Sequence, residues 1–305
     1  MSVLVVGSLN VDCTARCDRA PEAGETVQGN SFNTYLGGKG ANQAFACKRM
    51  NSTTIMAGAV GNDNFGEKYL QTLKEEGFDT KYIKVVNNST GTALIITEES
   101  GQNRICIVAG ANHDYSVNDL KQIENVIKNS NVVVAQLEIK YDVVKELSNI
   151  CAKHNVKFIL NPAPARELDD ELLKNVYLLT PNETELGIIV HKKITNLEEY
   201  INGAKDLLNK GVQNVIVTLG TNGSLLVNKD GYELVPACKV KAIDTVGAGD
   251  SFTGALASQI DQGKSLLEAM RVATFVAALE VQRKGAIPAM PYKEEVDNFI
   301  KSYKN

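Results

Sequence analysis

The stretch NVVVAQLEIKYDVVKELSNICAKHNVKFIL, residues 131–160, holds the pattern on which the fold turns. Its two ends, NVVVAQL and VKFIL, are short apolar runs rich in β-branched residues, the composition of buried strands. Between them KYDVVKELSNICAKHN carries helical spacing and stops at an asparagine, as helix C-termini often do. The same alternation recurs along the chain. VLVV, TIMAGAV, VYLLT, NVIVTL and SLLV read as further strands, and FGEKYLQTLKEEG and LEEYINGAKDLLNKG as further helices. Strands and helices in turn predict an α/β fold, a mainly parallel sheet with helices on both faces. No repeat, low-complexity tract or linker divides the chain, so we expect one domain over residues 1–305.

Two regions interrupt the rhythm. Residues 14–36 and 90–110 read as short alternating strands with turns. Together they can form a small antiparallel sheet that covers a ligand, or simply extend one edge of the main sheet.

The bulk composition narrows the function classes. With 305 residues, 44% hydrophobic and 22% charged, the chain is long and apolar enough for a substantial core. A net charge of −4 and no Lys/Arg run argue against a nucleic-acid partner. Six cysteines without a CxxC pair read as reduced thiols, and three scattered histidines form no local metal motif. The N-terminal apolar run is too short for a signal peptide or membrane span, so a cytoplasmic protein with no membrane partner is expected.

In an open α/β sheet, ligands bind beyond the carboxyl ends of the strands. Here successive strands run into polar residues: Asn10 and Asp12, Glu138, Asn161, then Asn182, Glu183 and Glu185, then Thr218, Gly220 and Gly223. Such a succession favours a common site. LGGKGANQAFACKRM places Gly38, Lys39 and Gly40 ahead of a helix-compatible run, with Asn42 in its first turn. IDTVGAGDSFTGAL, residues 243–256, repeats the design and adds an acid. Backbone N–H groups and the helix dipole attract an anion to Gly247, Ala248 and Gly249. Asp250 beside them can take a proton from an attacking hydroxyl, or can merely cap the helix. The residues alone leave both readings open.

Familiar nucleotide motifs fail. Asn33 stands where a Walker A loop needs its first glycine, and Gly40 follows the lysine where Ser or Thr is required. GAGDSF has Phe252 in place of the third glycine of GxGxxG, and no protein-kinase HRD or DFG set is present.

GSLNVD, PEAGETVQG, GGKGANQA, GAVGNDNFG, AGAN, QLE, NPAP, TPNETE, TLGTNG, DTVGAGDSF and RKGAIPAMP follow one another from end to end. In that order they resemble the ribokinase-like (PfkB) carbohydrate kinase family, and its ribokinase branch more than its adenosine kinase or fructokinase relatives. The resemblance implies a three-layer α/β/α fold with a small β lid that also forms a homodimer interface. It implies transfer of phosphate from ATP to O5 of D-ribose. Asn10, Asp12, Gly38, Lys39, Asn42 and Glu138 would hold the sugar, with Asp250 as the general base. Gly247, Ala248 and Gly249 would form the anion hole. Asn182, Thr218, Gly220, Gly223, Gly249 and Thr274 would meet the nucleotide. Magnesium would be organised near Glu185 and Asn182. A monovalent cation, usually potassium, would lie near Asp244, Val246, Glu280, Arg283, Gly285 and Ala289. Thr274 departs from an Asn common near the adenine, and Ala289 from a Ser found near the cation. A kinase for 2-deoxyribose, another pentose or a nucleoside is the nearest alternative, and a catalytically silent sugar-binding protein a remoter one.

Overall fold

The computed structural model describes residues 2–303. Among them the main sheet is built from β1 (Val3–Val6), β4 (Thr54–Gly61), β5 (Ile83–Val86), β8 (Val132–Ala135), β9 (Lys157–Leu160), β10 (Leu178–Leu179), β11 (Asn214–Thr218), β12 (Ser224–Asn228) and β13 (Gly231–Val235). The four strands of a second sheet intervene in the chain: β2 (Asn10–Cys17), β3 (Gly29–Gly37), β6 (Gly91–Glu98) and β7 (Asn103–Val108).

The main sheet runs β13-β12-β11-β10-β9-β8-β1-β4-β5. All neighbours from β11 to β5 are parallel, and β12 and β13 add an antiparallel edge. The expected α/β fold with a mostly parallel sheet is therefore the fold observed. Its centre explains the apolar runs. Every residue of β1 and β8 is buried, as a strand covered on both faces requires.

Side-chain alternation then divides the core in two. Val3, Val5, Val132 and Val134 join one cluster with Phe45, Leu256 and Met270. Leu4, Val6, Val133 and Ala135 join the other with Val144, Leu147 and Leu207. The first layer holds helices Lys39–Arg49, Ala248–Asp261 and Leu266–Glu280, and the second Tyr141–Lys153 and Leu197–Asn209. Burial of each such aliphatic side chain contributes about 1.5–3 kcal/mol.

The second sheet has the order β3-β2-β6-β7. It is not purely antiparallel, because β2 and β6 pair in parallel. Its β2 starts at Asn10, so the strand leaves the main domain almost at the carboxyl end of β1. Phe32, Tyr35, Leu94, Ile105 and Ile107 are exposed on it. Among the described residues no helix is long and apolar enough to cross a membrane.

Candidate active site

The carboxyl ends of the parallel strands supply two adjoining clusters. The first is centred on Glu138, just past β8. Its Oε2 accepts hydrogen bonds from Ser8 Oγ, from the Lys39 backbone N–H at 3.0 Å and, at 3.4 Å, from Asn10 Nδ2. Asn10 is held in turn by Asn112, whose Nδ2 donates to Asn10 Oδ1 at 2.7 Å. Gly38 makes this approach feasible. Its φ is +90°, and a Cβ there would lie 2.6 Å from the Asn10 nitrogen. Asp12 lies two residues on from Asn10 on the same face of β2. Burial, and then the charges of Glu138 and Asp250, push its carboxyl up to about 6.

The second cluster lines a cavity of about 210 Å³ bounded by Lys39, Asn161, Ala163, Thr180, Asn182, Glu185, Thr218, Thr245, Gly247, Gly249, Asp250 and Thr253. The helix Ala248–Asp261 begins here. Gly247 is its N-cap with φ +91°, and no side chain caps it. Nothing lies within 4 Å of where a Cβ on Gly249 would stand. The Ala248 N–H donates to the Thr245 carbonyl at 3.3 Å, while the N–H groups of Gly249 and Asp250 are left at the helix start, the arrangement that binds anions.

Asp250 is buried in the first turn and does not cap the helix. Its Oδ2 accepts from Asn42 Nδ2 and its Oδ1 from Gln43 Nε2, both at 2.9 Å. The two donors come from the other glycine-led helix, Lys39–Arg49. Lys39 and Asp250 thus join the clusters. The negative charge of Asp250, followed by those of Glu138 and Glu185, raises the Lys39 pKa and keeps its ammonium charged.

Asn182 and Glu185 form a reciprocal capping box at 2.8 Å on the helix Glu183–Ile189. The box uses Oε2 of Glu185, while burial raises the pKa of its carboxyl. Thr218 bridges to Asn182 and also faces the cavity. Gly220 and Gly223 lie in the turn that follows β11. Thr274 is not part of the cavity lining; its hydroxyl donates back to the Met270 carbonyl at 2.9 Å. Glu183 likewise turns away and accepts from the Tyr200 hydroxyl.

Behind this helix start, the loop 243–247 is stitched to residues 281–286. The Asp244 carboxylate accepts from the backbone N–H groups of Val246 and Gly285, at 3.1 and 3.0 Å. Ile243 and Asp244 donate to the Val281 carbonyl. Glu280 is fully buried beside them, with neither carboxylate oxygen hydrogen-bonded. Burial, and then Asp250 and Asp244, push its carboxyl up to about 9. Arg283 does not neutralise it, because its guanidinium pairs with Glu295. Ala289 is buried in the short turn Ile287–Ala289.

Sequence reading passed over Ser8, Gln43, Asn112 and Gln136. Each lies inside a quoted motif, yet only the folded chain shows that its side chain turns inward. A wider groove along Gly187, His191, Lys192 and Tyr200 has no buried polar side chain in its lining and offers no comparable chemistry.

An uncapped helix start, which suits an anion, with the Asp250 carboxylate held beside it, has the groups that phosphoryl transfer to a hydroxyl needs. The fold and this site define a kinase of the α/β class. The pfkB family carbohydrate kinase profile matches residues 1–293. Ribokinase of Schizosaccharomyces pombe is 39% identical, covering 100% of this chain and 99% of its own. Deoxyribokinase of Salmonella typhi is 35% identical over 98% of this chain and 99% of its own. The structure of Arabidopsis thaliana ribokinase complexed with ribose and ATP superimposes with a TM-score of 0.92, at 33% identity and 98% coverage of both chains. The chain belongs to the pfkB family of carbohydrate kinases.

Proposed function

We propose that the chain phosphorylates D-ribose at O5, with ATP as donor and ADP and D-ribose 5-phosphate as products. The observation that carries this reading is Asp250, held by two amides at the mouth of an uncapped helix start. The sugar lies across the first cluster, with its hydroxyls met by Asn10, Asp12, Asn42, Glu138, Lys39 and the backbone at Gly38. Asn42 Oδ1 is buried without a partner, which suits an acceptor kept for a ligand hydroxyl. Asp250 takes the proton of the 5-hydroxyl as O5 bonds to the γ-phosphorus and the bond to the ADP oxygen breaks. N–H groups of Gly247, Ala248 and Gly249 receive the charge of the transferred group, and Lys39 adds its ammonium. Asn182, Thr218, Gly220, Gly223 and the Thr274 region hold the nucleotide.

Glu185 fits a magnesium ion held mainly by phosphates and waters, because one cavity-lining carboxylate suffices for that role. When bound, magnesium neutralises phosphate charge. The unpaired carboxylate of Glu280, close to Asp244, Val246, Gly285 and Ala289, fits a monovalent cation, for which we take potassium. The protein works in the cytoplasm as a homodimer, with the second sheet serving as both lid and interface.

The deoxyribokinase match keeps a second sugar in view. A pocket that pairs the 2-hydroxyl leaves polar groups unpaired when that hydroxyl is missing. We therefore expect kcat/KM for D-ribose to exceed that for 2-deoxy-D-ribose in a coupled assay for ADP. A preference for the deoxy sugar would reassign the substrate.

A further inference from the structure

We infer that Gln43 and Gln136 are positioning residues that set the orientation of the Asp250 carboxylate. The inference rests on the reading of Asp250 as the base.

Asn42 and Gln43 are consecutive on one helix, so their side chains leave it about 100° apart. They nevertheless converge on one carboxylate, Asn42 on Oδ2 and Gln43 on Oδ1. With both oxygens engaged, the plane of the carboxylate is fixed. Asn42 also has an acceptor left for the ligand, whereas Gln43 is fully buried and reaches no open space. Its contribution passes through Asp250.

The orientation of the Gln43 amide is itself dictated from the sheet. Asn161, just beyond β9, donates Nδ2 to the Thr180 carbonyl at 3.0 Å, and its Oδ1 therefore faces Gln43. That oxygen accepts one hydrogen of Gln43 Nε2 at 3.1 Å. On the other side Gln136, just beyond β8, donates Nε2 to Gln43 Oε1 at 2.6 Å. An amide has one acceptor oxygen and two donor hydrogens, and here all three are assigned. Rotating the Gln43 amide by half a turn would aim its oxygen at the Asp250 carboxylate and its NH2 at the Gln136 donor. The Thr180 carbonyl just past β10, acting through Asn161, thus helps determine which group of Gln43 meets the carboxylate. Gln136 Oε1 and Asn42 Oδ1 are buried without a partner. All three positions of the Gln43 amide are engaged, however, and a reacting group held by such an amide stays near its attack geometry.

The test compares Gln43→Met and Gln136→Met, singly and together, with Asp250→Asn as reference and D-ribose and ATP as substrates. Methionine keeps the volume and removes the donor. Gln43→Met should lower kcat about 10- to 100-fold, the loss expected for one hydrogen bond to a charged group. KM for both substrates should stay within about twofold, a split that removal of a binding contact would not produce. Gln136→Met should cost about three- to tenfold in kcat, as for one neutral hydrogen bond. That second effect should disappear in the Gln43→Met background, where no amide is left to orient. Near-parental kcat in Gln43→Met beside an inactive Asp250→Asn overturns the positioning role alone. Additive losses in the double variant overturn the route through Gln43. Near-parental kcat in Asp250→Asn overturns the base assignment itself. If Gln43→Met does not fold, Gln136→Met decides: reduced kcat at unchanged KM supports the inference, and unchanged kcat defeats it.

Discussion

Gly247 and Glu280 are packed so closely that a Cβ on the glycine would lie 2.7 Å from Glu280 Oε1 and 2.9 Å from the Ala286 Cβ. The glycine's φ of +91° is a second reason for its identity. Gly247→Ala should cost about 1–3 kcal/mol of stability from backbone strain, with the steric clash in addition. It should also raise KM for ATP, because the displaced residue opens the turn proposed to receive phosphate. Urea denaturation with steady-state kinetics checks both. A variant with parental stability would show that the turn is not clamped from behind.

The same contact puts a buried carboxylate directly behind the turn proposed to bind phosphate. With its carboxyl raised to about 9, Glu280 keeps a proton at neutral pH unless a cation takes that proton's place. Potassium should therefore raise the Tm of the ligand-free protein more than an equal concentration of a bulky organic cation does. Glu280→Gln should remove most of that difference, because a neutral amide attracts the ion less. Melting curves in matched ionic strength read this without any turnover. An equal potassium response in the two proteins would exclude the carboxylate as a ligand.

Most of the fold was legible in the sequence because burial on both faces leaves an unbroken apolar signature. VLVV, NVVVAQL and NVIVTL all became central strands. Edge strands carry no such signature. β5 (IKVV) and β13 (GYELV) are largely exposed, and a charged residue interrupts the apolar run in each. Within the site, strand ends and glycine-led helix starts pointed to residues that line the cavity, among them Lys39, Asn161, Asn182, Thr218 and Asp250. Gln43 and Gln136 were not legible, since a buried amide looks like a solvated one until the opposite donor is known. Asp250 shows the same limit. Its place at a helix start allows a cap, and only the amides of another helix exclude that reading.

Asp250→Asn should retain binding of ribose and ATP while kcat falls by about 10²–10⁴, the usual scale of general-base catalysis. The substituted amide also sets an NH2 group against one of the two donors on Asn42 and Gln43. Some loss of stability should accompany the loss of rate. Calorimetric titration with each ligand separates this outcome from a failure to bind, which would point to a broken site.

Asp12 gives the site a pH dependence of defined sign. Its carboxyl is raised from 3.8 to about 6 by burial and by the Glu138 and Asp250 charges. Between those values the folded chain holds a proton that the unfolded chain has lost. The resulting stabilisation is full below about 3.8 and is lost as pH rises through about 6. Relative to Asp12→Asn, the ligand-free protein should become less stable from about pH 4 to pH 6 and then level off. Denaturation midpoints for both proteins across that range provide the check. A parallel pair of curves would mean that Asp12 is more solvated than its neighbours imply.

The register of the second sheet places Tyr35 opposite Asp12 and, across β6, aligns Ile107 with Ala93 and Ile105 with Ile95. Tyr35, Ile105 and Ile107 therefore extend the face that carries Asp12, and all three are exposed. An exposed apolar row continuous with the side of the sheet that carries Asp12 is suited to packing against a second copy. In a two-fold dimer every substitution enters the interface twice. Ile107→Asp would bury two carboxylates without partners, each at a cost of several kcal/mol. Light scattering at micromolar concentration should show a dimer for the parent and a monomer for this variant. The monomer should also bind ribose less tightly, because the partner no longer braces the sheet that carries Asp12. A monomeric parent would defeat the dimer proposal, and a dimeric Ile107→Asp variant would move the interface off this face.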